Sequence, residues 1–147
     1  MMKPWTSLTI PAKAEYIDIV RLTLSGLAAK EGFSYEEIED MKVAVTEACS
    51  NVVLHAYNGG EFGVMEVIFE AEEETFQIRV KDSGNSFHYE PTVIAHASLH
   101  EKPLMDANVG GLGLFLMQAL MDQVEVHSEL GTEVILTKRL GRKEEMA

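Results

Sequence analysis

Glu47 and Asn51 stand four residues apart in Glu47-Ala-Cys-Ser-Asn51, a carboxylate and a carboxamide inside a run of helical periodicity. On a helix advancing about 100° per residue they lie roughly 40° apart and share a face. A carboxylate there can take a proton, and an amide oxygen suits Mg²⁺, which prefers hard oxygen donors. His55 is one more turn along the same side, placed for a phosphate contact or for the helix C-terminus. The same face could be merely solvated. Against that, no Lys or Arg occurs from Val43 to His55, and Ala44 and Ala48 beside it are small enough to let a ligand approach. Asp82-Ser83-Gly84 follows an alternating run, Phe76 to Val80, where a chain leaves a sheet. Alone, Asp-Ser-Gly is usually just a turn. As a site, Asp82 would accept a hydrogen bond from an exocyclic amine such as adenine N6, with Gly84 clearing space for the ring.

Gly110-Gly111-Leu112-Gly113 opens a further apolar helix. It is no dinucleotide fingerprint, because position 116 is Leu and no strand precedes it, and it lacks the Gly-Lys-[Ser/Thr] of a P-loop. What remains is a Gly-rich turn offering free N–H groups and a positive helix end to phosphates, compatible with a lid hinge. An acid, a metal-capable amide, an anchoring Asp and a Gly loop, in that order, are the parts of an ATP site.

The elements that must carry these groups are legible from periodicity. Ser7 to Ile10 alternates and is stopped by Pro11, as in a short edge strand. Ile17, Val20, Leu24, Leu27 and Ala28 recur at helical spacing between Ala14 and about Lys30, and Gly32 ends the run. Ser34 and Glu37 form a capping box for a second helix with the stripe Ile38, Met41, Val45, Ala48 and Val52, reaching about His55. Val64 to Phe69 and Phe76 to Val80 alternate around the acidic turn Glu72-Glu73-Glu74, an antiparallel hairpin. Periodicity fails between Ser83 and Val109, apart from a short helical piece around Val93 to Leu99, so a lid is expected over about residues 85–109. Helical spacing resumes from Gly113 to Met121, and Val124 to His127 and Thr132 to Leu136 form a closing hairpin. This order predicts a single α+β domain over residues 1–147: a two-layer sandwich, one mostly antiparallel sheet with helices on one face.

With 147 residues, 46% of them apolar and 24% charged, the chain can bury the core of one domain, and disorder is not expected. A formal charge of -12 argues against direct nucleic-acid contact and against a polybasic membrane contact. ATP is itself an anion, so N–H groups, a helix N-terminus and a divalent cation must supply positive potential. The lone Cys49 excludes an intrachain disulfide framework. No apolar run follows the opening Met-Met-Lys-Pro-Trp, and Val109 to Met121 is too short to span a bilayer. A cytoplasmic location is expected.

The joint pattern is specific where its parts are not. Glu-x-x-x-Asn on a long helix, strand–Asp-x-Gly, a lid, Gly-x-Gly into a helix and Gly131-Thr132 opening a strand resemble the ATP-binding (Bergerat) fold of gyrase, histidine kinases and MutL. Within it the chain is most similar to RsbW-type anti-sigma factors and serine-protein kinases. The stretches that carry the likeness run nearly end to end: Ile19-Val-Arg-Leu-Thr-Leu-Ser-Gly26, Glu36-Glu-Ile-Glu-Asp40, Val45-Thr-Glu-Ala-Cys-Ser-Asn51, His55-Ala-Tyr57, Ser83-Gly-Asn-Ser-Phe87 and Gly110-Gly-Leu-Gly-Leu-Phe-Leu-Met117. Ala119-Leu-Met-Asp122 and Thr137-Lys138 extend it.

The resemblance implies a homodimer that holds a stress-response sigma factor away from RNA polymerase and uses ATP to phosphorylate a serine of an anti-anti-sigma protein. By the same resemblance Glu47 takes the serine proton, Asn51 ligates Mg²⁺, and Asp82 binds adenine with Gly84 beside it. Gly110, Gly111, Leu112 and Gly113 line the phosphates, and Thr132 lies near the base. The departure is a short, cation-poor lid, with Lys102 the only Lys or Arg between Ser83 and Val109, and the chain stops soon after Arg139. A histidine-kinase catalytic domain acting in trans and a nucleotide-gated binding module without phosphotransfer remain as rivals. Arg21, at the edge of the first helix's apolar stripe, is a candidate anchor for an acidic group on a partner, or half of an intramolecular ion pair.

Overall fold

The computed structural model describes residues 4–58, 63–82, 112–127 and 131–140. Strand β1 (Trp5–Pro11) leads through a 3-10 turn (Ala14–Tyr16) into helix α1 (Ile17–Glu31) and then helix α2 (Tyr35–Asn58). Strands β2 (Val64–Ala71) and β3 (Thr75–Asp82) follow, then helix α3 (Leu112–Leu120) and strands β4 (Gln123–His127) and β5 (Glu133–Arg139). The lid expected over residues 85–109, with its short helical piece, lies outside the described residues, as do Gly84, Gly110 and Gly111.

Local chemistry fixes the ends of the helices. Gly32 takes φ 98° at the end of α1, a left-handed conformation that costs a glycine little. Its N–H, and that of Phe33, then reach back to the last carbonyls of the helix. The capping box closes reciprocally: Ser34 N–H donates to Glu37 Oε1 at 2.8 Å, and Glu37 N–H to Ser34 Oγ at 3.1 Å. From there α2 runs to Asn58, a little past the expected His55.

The sheet is antiparallel throughout, in the order β1-β2-β3-β5-β4. β1 is the expected edge strand, with Pro11 as its last residue, where a missing N–H does least harm. Alternate residues of β2 and β3 (Met65, Val67, Phe69, Phe76, Ile78 and Val80) are buried. They meet Val20 and Leu24 of α1 and Met41, Val45 and Cys49 of α2 in one core. The opposite sheet face carries Ile68 and Ile135 beside Arg79, and the ion pairs Arg79–Glu133 (3.4 Å) and Lys81–Glu66 (4.0 Å). Among the described residues, helices therefore cover one face only, as the element order predicts. Arg21 is part-exposed and lies 3.7 Å from Asp18, so the intramolecular pair exists. Among the described residues, no helix is long and apolar enough to cross a membrane.

Candidate functional site

The two ends of α2 define two poles of the molecule. At its start, Phe33 packs edge-on against Phe76 at the beginning of β3, with ring centroids 5.8 Å apart. Towards its other end come Glu47 and Asn51, both half-buried. There α3 begins. A Cβ added to Gly113 would lie 3.1 Å from Glu47 Oε1 and 4.0 Å from Asn51 Nδ2. Residues more than sixty positions apart in sequence thus meet at one point. Gly113 is not among the described glycines with positive φ, so space rather than backbone conformation demands a glycine here.

Asp82 ends β3 at the same pole. It opposes Met65 in register, on the helix-covered face, with its Oδ2 sealed from solvent. Its N–H donates to the carbonyl of Thr132 at 3.1 Å. Gly131, at φ 96°, turns the chain into β5 and sets that carbonyl in place. The structure therefore brings Glu47, Asn51 and Gly113 together, and Asp82 and Thr132 together, at one end of the sheet. His55 lies on α2 one turn beyond Asn51, and Leu112 opens α3; their side chains are outside the described residues, as are Gly84, Gly110 and Gly111.

One detail corrects the sequence reading. Ala44 and Ala48 do not open the helix to a ligand, because both are fully buried in the core. Their small size instead suits the close passage of α3 along α2. Cys49 belongs to the core as well, and burial pushes its thiol pKa up to about 12, so it is an inert packing group rather than a nucleophile.

One residue carried no role in the motif reading, although Thr137-Lys138 belongs to the family likeness. Lys138 follows Val134 and Leu136 at a spacing of two, which puts it on the covered face of β5. That alternation was the signal. Its ammonium donates to the carbonyl of Leu120, the last residue of α3, at 2.7 Å and lies 4.0 Å from Asp40 Oδ2. Since Asp40 and Glu47 sit on α2 opposite the end and the start of α3, the two helices run antiparallel.

Comparison with known proteins agrees with this architecture. Residues 10–138 match the family model described as the histidine kinase-like ATPase domain. The chain is 47% identical to a serine-protein kinase RsbW from Bacillus pumilus, covering 92% of this chain and 86% of that one. It is 42% identical to the RsbW of Oceanobacillus iheyensis (95% and 89%) and 43% identical to that of Listeria innocua (94% and 88%). A crystal structure of the RsbU and RsbW domains of a Mycobacterium tuberculosis protein superposes with a TM-score of 0.63 at 23% identity. That match covers 93% of this chain and 32% of the longer one, and it speaks for the fold. The chain belongs to the histidine-kinase-like ATPase family and, within it, to the RsbW serine-protein kinases.

Proposed function

We propose that this chain is an ATP-dependent protein-serine kinase that phosphorylates an anti-anti-sigma protein and also binds and restrains a stress-response sigma factor. The observation that carries the kinase reading is the meeting of Gly113 with Glu47 and Asn51. It combines a proton acceptor, an oxygen donor and the start of a helix, where free N–H groups favour an anion. Asp82 supports the choice of adenine, since a carboxylate accepts from its N6 amine, while guanine offers a carbonyl at the equivalent place. Gly110, Gly111, Leu112 and His55 complete the phosphate side of this reading, and Gly84 and Thr132 the base side.

In the reaction, Glu47 accepts the hydroxyl proton as the substrate serine Oγ forms its bond to the γ-phosphorus. The bond from that phosphorus to the bridging oxygen breaks, and ADP leaves. Glu47 is half-buried on a rigid helix, so its carboxylate has a defined direction at low reorganisation cost. Among the described residues no three His, Cys, Asp or Glu side chains are placed to hold a metal ion. A single amide oxygen, that of the half-buried Asn51, fits Mg²⁺, which takes most of its ligands from phosphate oxygens and water. When bound, that ion would offset the phosphate charge.

The protein functions as a homodimer in the cytoplasm, as one domain with a lid over about residues 85–109, without direct nucleic-acid or membrane contact. The decisive experiment incubates the protein with radiolabelled ATP and its candidate substrate, then treats the product with acid. Acid-stable label on the substrate is the expected result. Acid-labile label would indicate histidine-kinase chemistry, and absence of label with intact ATP binding would leave a nucleotide-gated binding module.

A further inference from the structure

We propose that Lys138 is a positioning residue for the nucleotide site, acting through α3 from the end opposite to the chemistry. The inference rests on the nucleotide reading of the Glu47–Asn51–Gly113 cluster. An ammonium on the covered face of a sheet, with its side chain only 13% exposed, needs partners to offset its desolvation. Lys138 finds them at the carbonyl of Leu120 and the carboxylate of Asp40. The Leu120 carbonyl is one of the four that α3 leaves without intrahelical donors, at the negative end of its dipole.

The next residues add to this clamp. Asp122 N–H donates to the Thr137 carbonyl at 2.9 Å, and Asp122 Oδ2 accepts from Arg139 N–H at 2.6 Å. The C-terminal end of α3 is thereby fixed to β5, and through Lys138 to α2. On α2, Asp40, Ala44, Glu47 and Asn51 fall on one stripe at offsets 0, 4, 7 and 11, within about 60° of one another. Asp40 engages the far end of α3 through Lys138, and Glu47 and Asn51 face its first turn. A nine-residue helix is a stiff rod about 13 Å long, so an axial slip at Leu120 moves Gly113 against Glu47 by the same amount. β5 also holds Asp82 through Thr132, so one strand fixes both halves of the site.

The test compares wild-type protein with Lys138→Met, Lys138→Arg, Asp40→Asn and, as a stability-matched control away from α3, Val20→Ala. Two quantities are read: Mg·ATP affinity by calorimetry, and amide hydrogen exchange along α2 and α3. Lys138→Met should weaken Mg·ATP about tenfold and speed exchange at the α2 amides around Glu47 and Asn51, which the start of α3 packs against, as well as in the last turn of α3. Arg at 138 should restore affinity to within about threefold of wild type, Asp40→Asn should fall between, and Val20→Ala should keep affinity despite its lower melting temperature. Unchanged affinity in Lys138→Met, exchange altered only in the last turn, or an equal loss in Val20→Ala would overturn the proposal. Wild-type protein without Mg·ATP affinity would overturn the nucleotide reading itself, and the proposal with it.

Discussion

At the scale of single residues, the site depends on what is absent at Gly113 as much as on what is present at Glu47. An alanine there would bring its methyl group to 3.1 Å from Glu47 Oε1, so the carboxylate must give way by a few tenths of an ångström. The backbone has no objection, since alanine is the better helix former by about 1 kcal/mol. Gly113→Ala should therefore keep or raise the melting temperature while phosphotransfer falls at least tenfold, and a kinase assay beside a thermal melt measures both. Glu47→Gln separates binding from chemistry more directly. It preserves shape and removes the proton acceptor, a contribution of about 10²–10⁴-fold. Single-turnover kinetics should show that loss, with Mg·ATP affinity unchanged by calorimetry. Near-normal turnover would remove Glu47 from the reaction.

At the scale of elements, the helix that carries the site is anchored a long way from it. The Ser34–Glu37 capping box starts α2, and Glu47 lies thirteen positions after Ser34. Ser34→Ala should cost about 1 kcal/mol, as N-cap losses do. It should lower the melting temperature by about 2–4 °C in a domain of this size, with Mg·ATP affinity unchanged. That capping box was legible in sequence because its two bonds span three residues, as were the Gly32 stop and both hairpins. The β3–β5 pairing was not, because it joins strands across residues 83–132 and no local pattern encodes which edge β5 will choose. The site divides in the same way. Glu47 and Asn51 could be paired from helical spacing alone, whereas their meeting with Gly113 depends on how α3 packs. Lys138 was hidden for a different reason: a charged residue in phase with Val134 and Leu136 reads as a strand end until its partners on α2 and α3 are known.

At the scale of the whole molecule, the question is how a chain of formal charge -12 takes up an anionic nucleotide. The placement of the acids supplies an answer. Glu36, Glu37, Glu39 and Asp40 open α2, and Glu72–Glu74 turn between β2 and β3. The Phe33–Phe76 contact and the bond from Leu140 N–H to the Glu74 carbonyl hold these segments at the same pole. Asn51 is fifteen residues along α2 from Glu36, roughly 22 Å away along the helix axis. At that distance one pair of unit charges in water is worth only about 0.2 kcal/mol, and a screening length of about 8 Å at physiological salt removes most of it. The acidic pole is thus nearly invisible to the nucleotide under those conditions. At 10 mM ionic strength the screening length grows to about 30 Å and the repulsion returns. The double substitution Glu36→Gln with Glu73→Gln, both at exposed positions, makes this measurable. Mg·ATP affinity should match wild type at 150 mM salt and exceed it by about twofold at 10 mM, following the distances and screening above. A gain above fivefold at 150 mM would mean that these acids lie within reach of the phosphates, and the separation of poles along α2 would have to be abandoned.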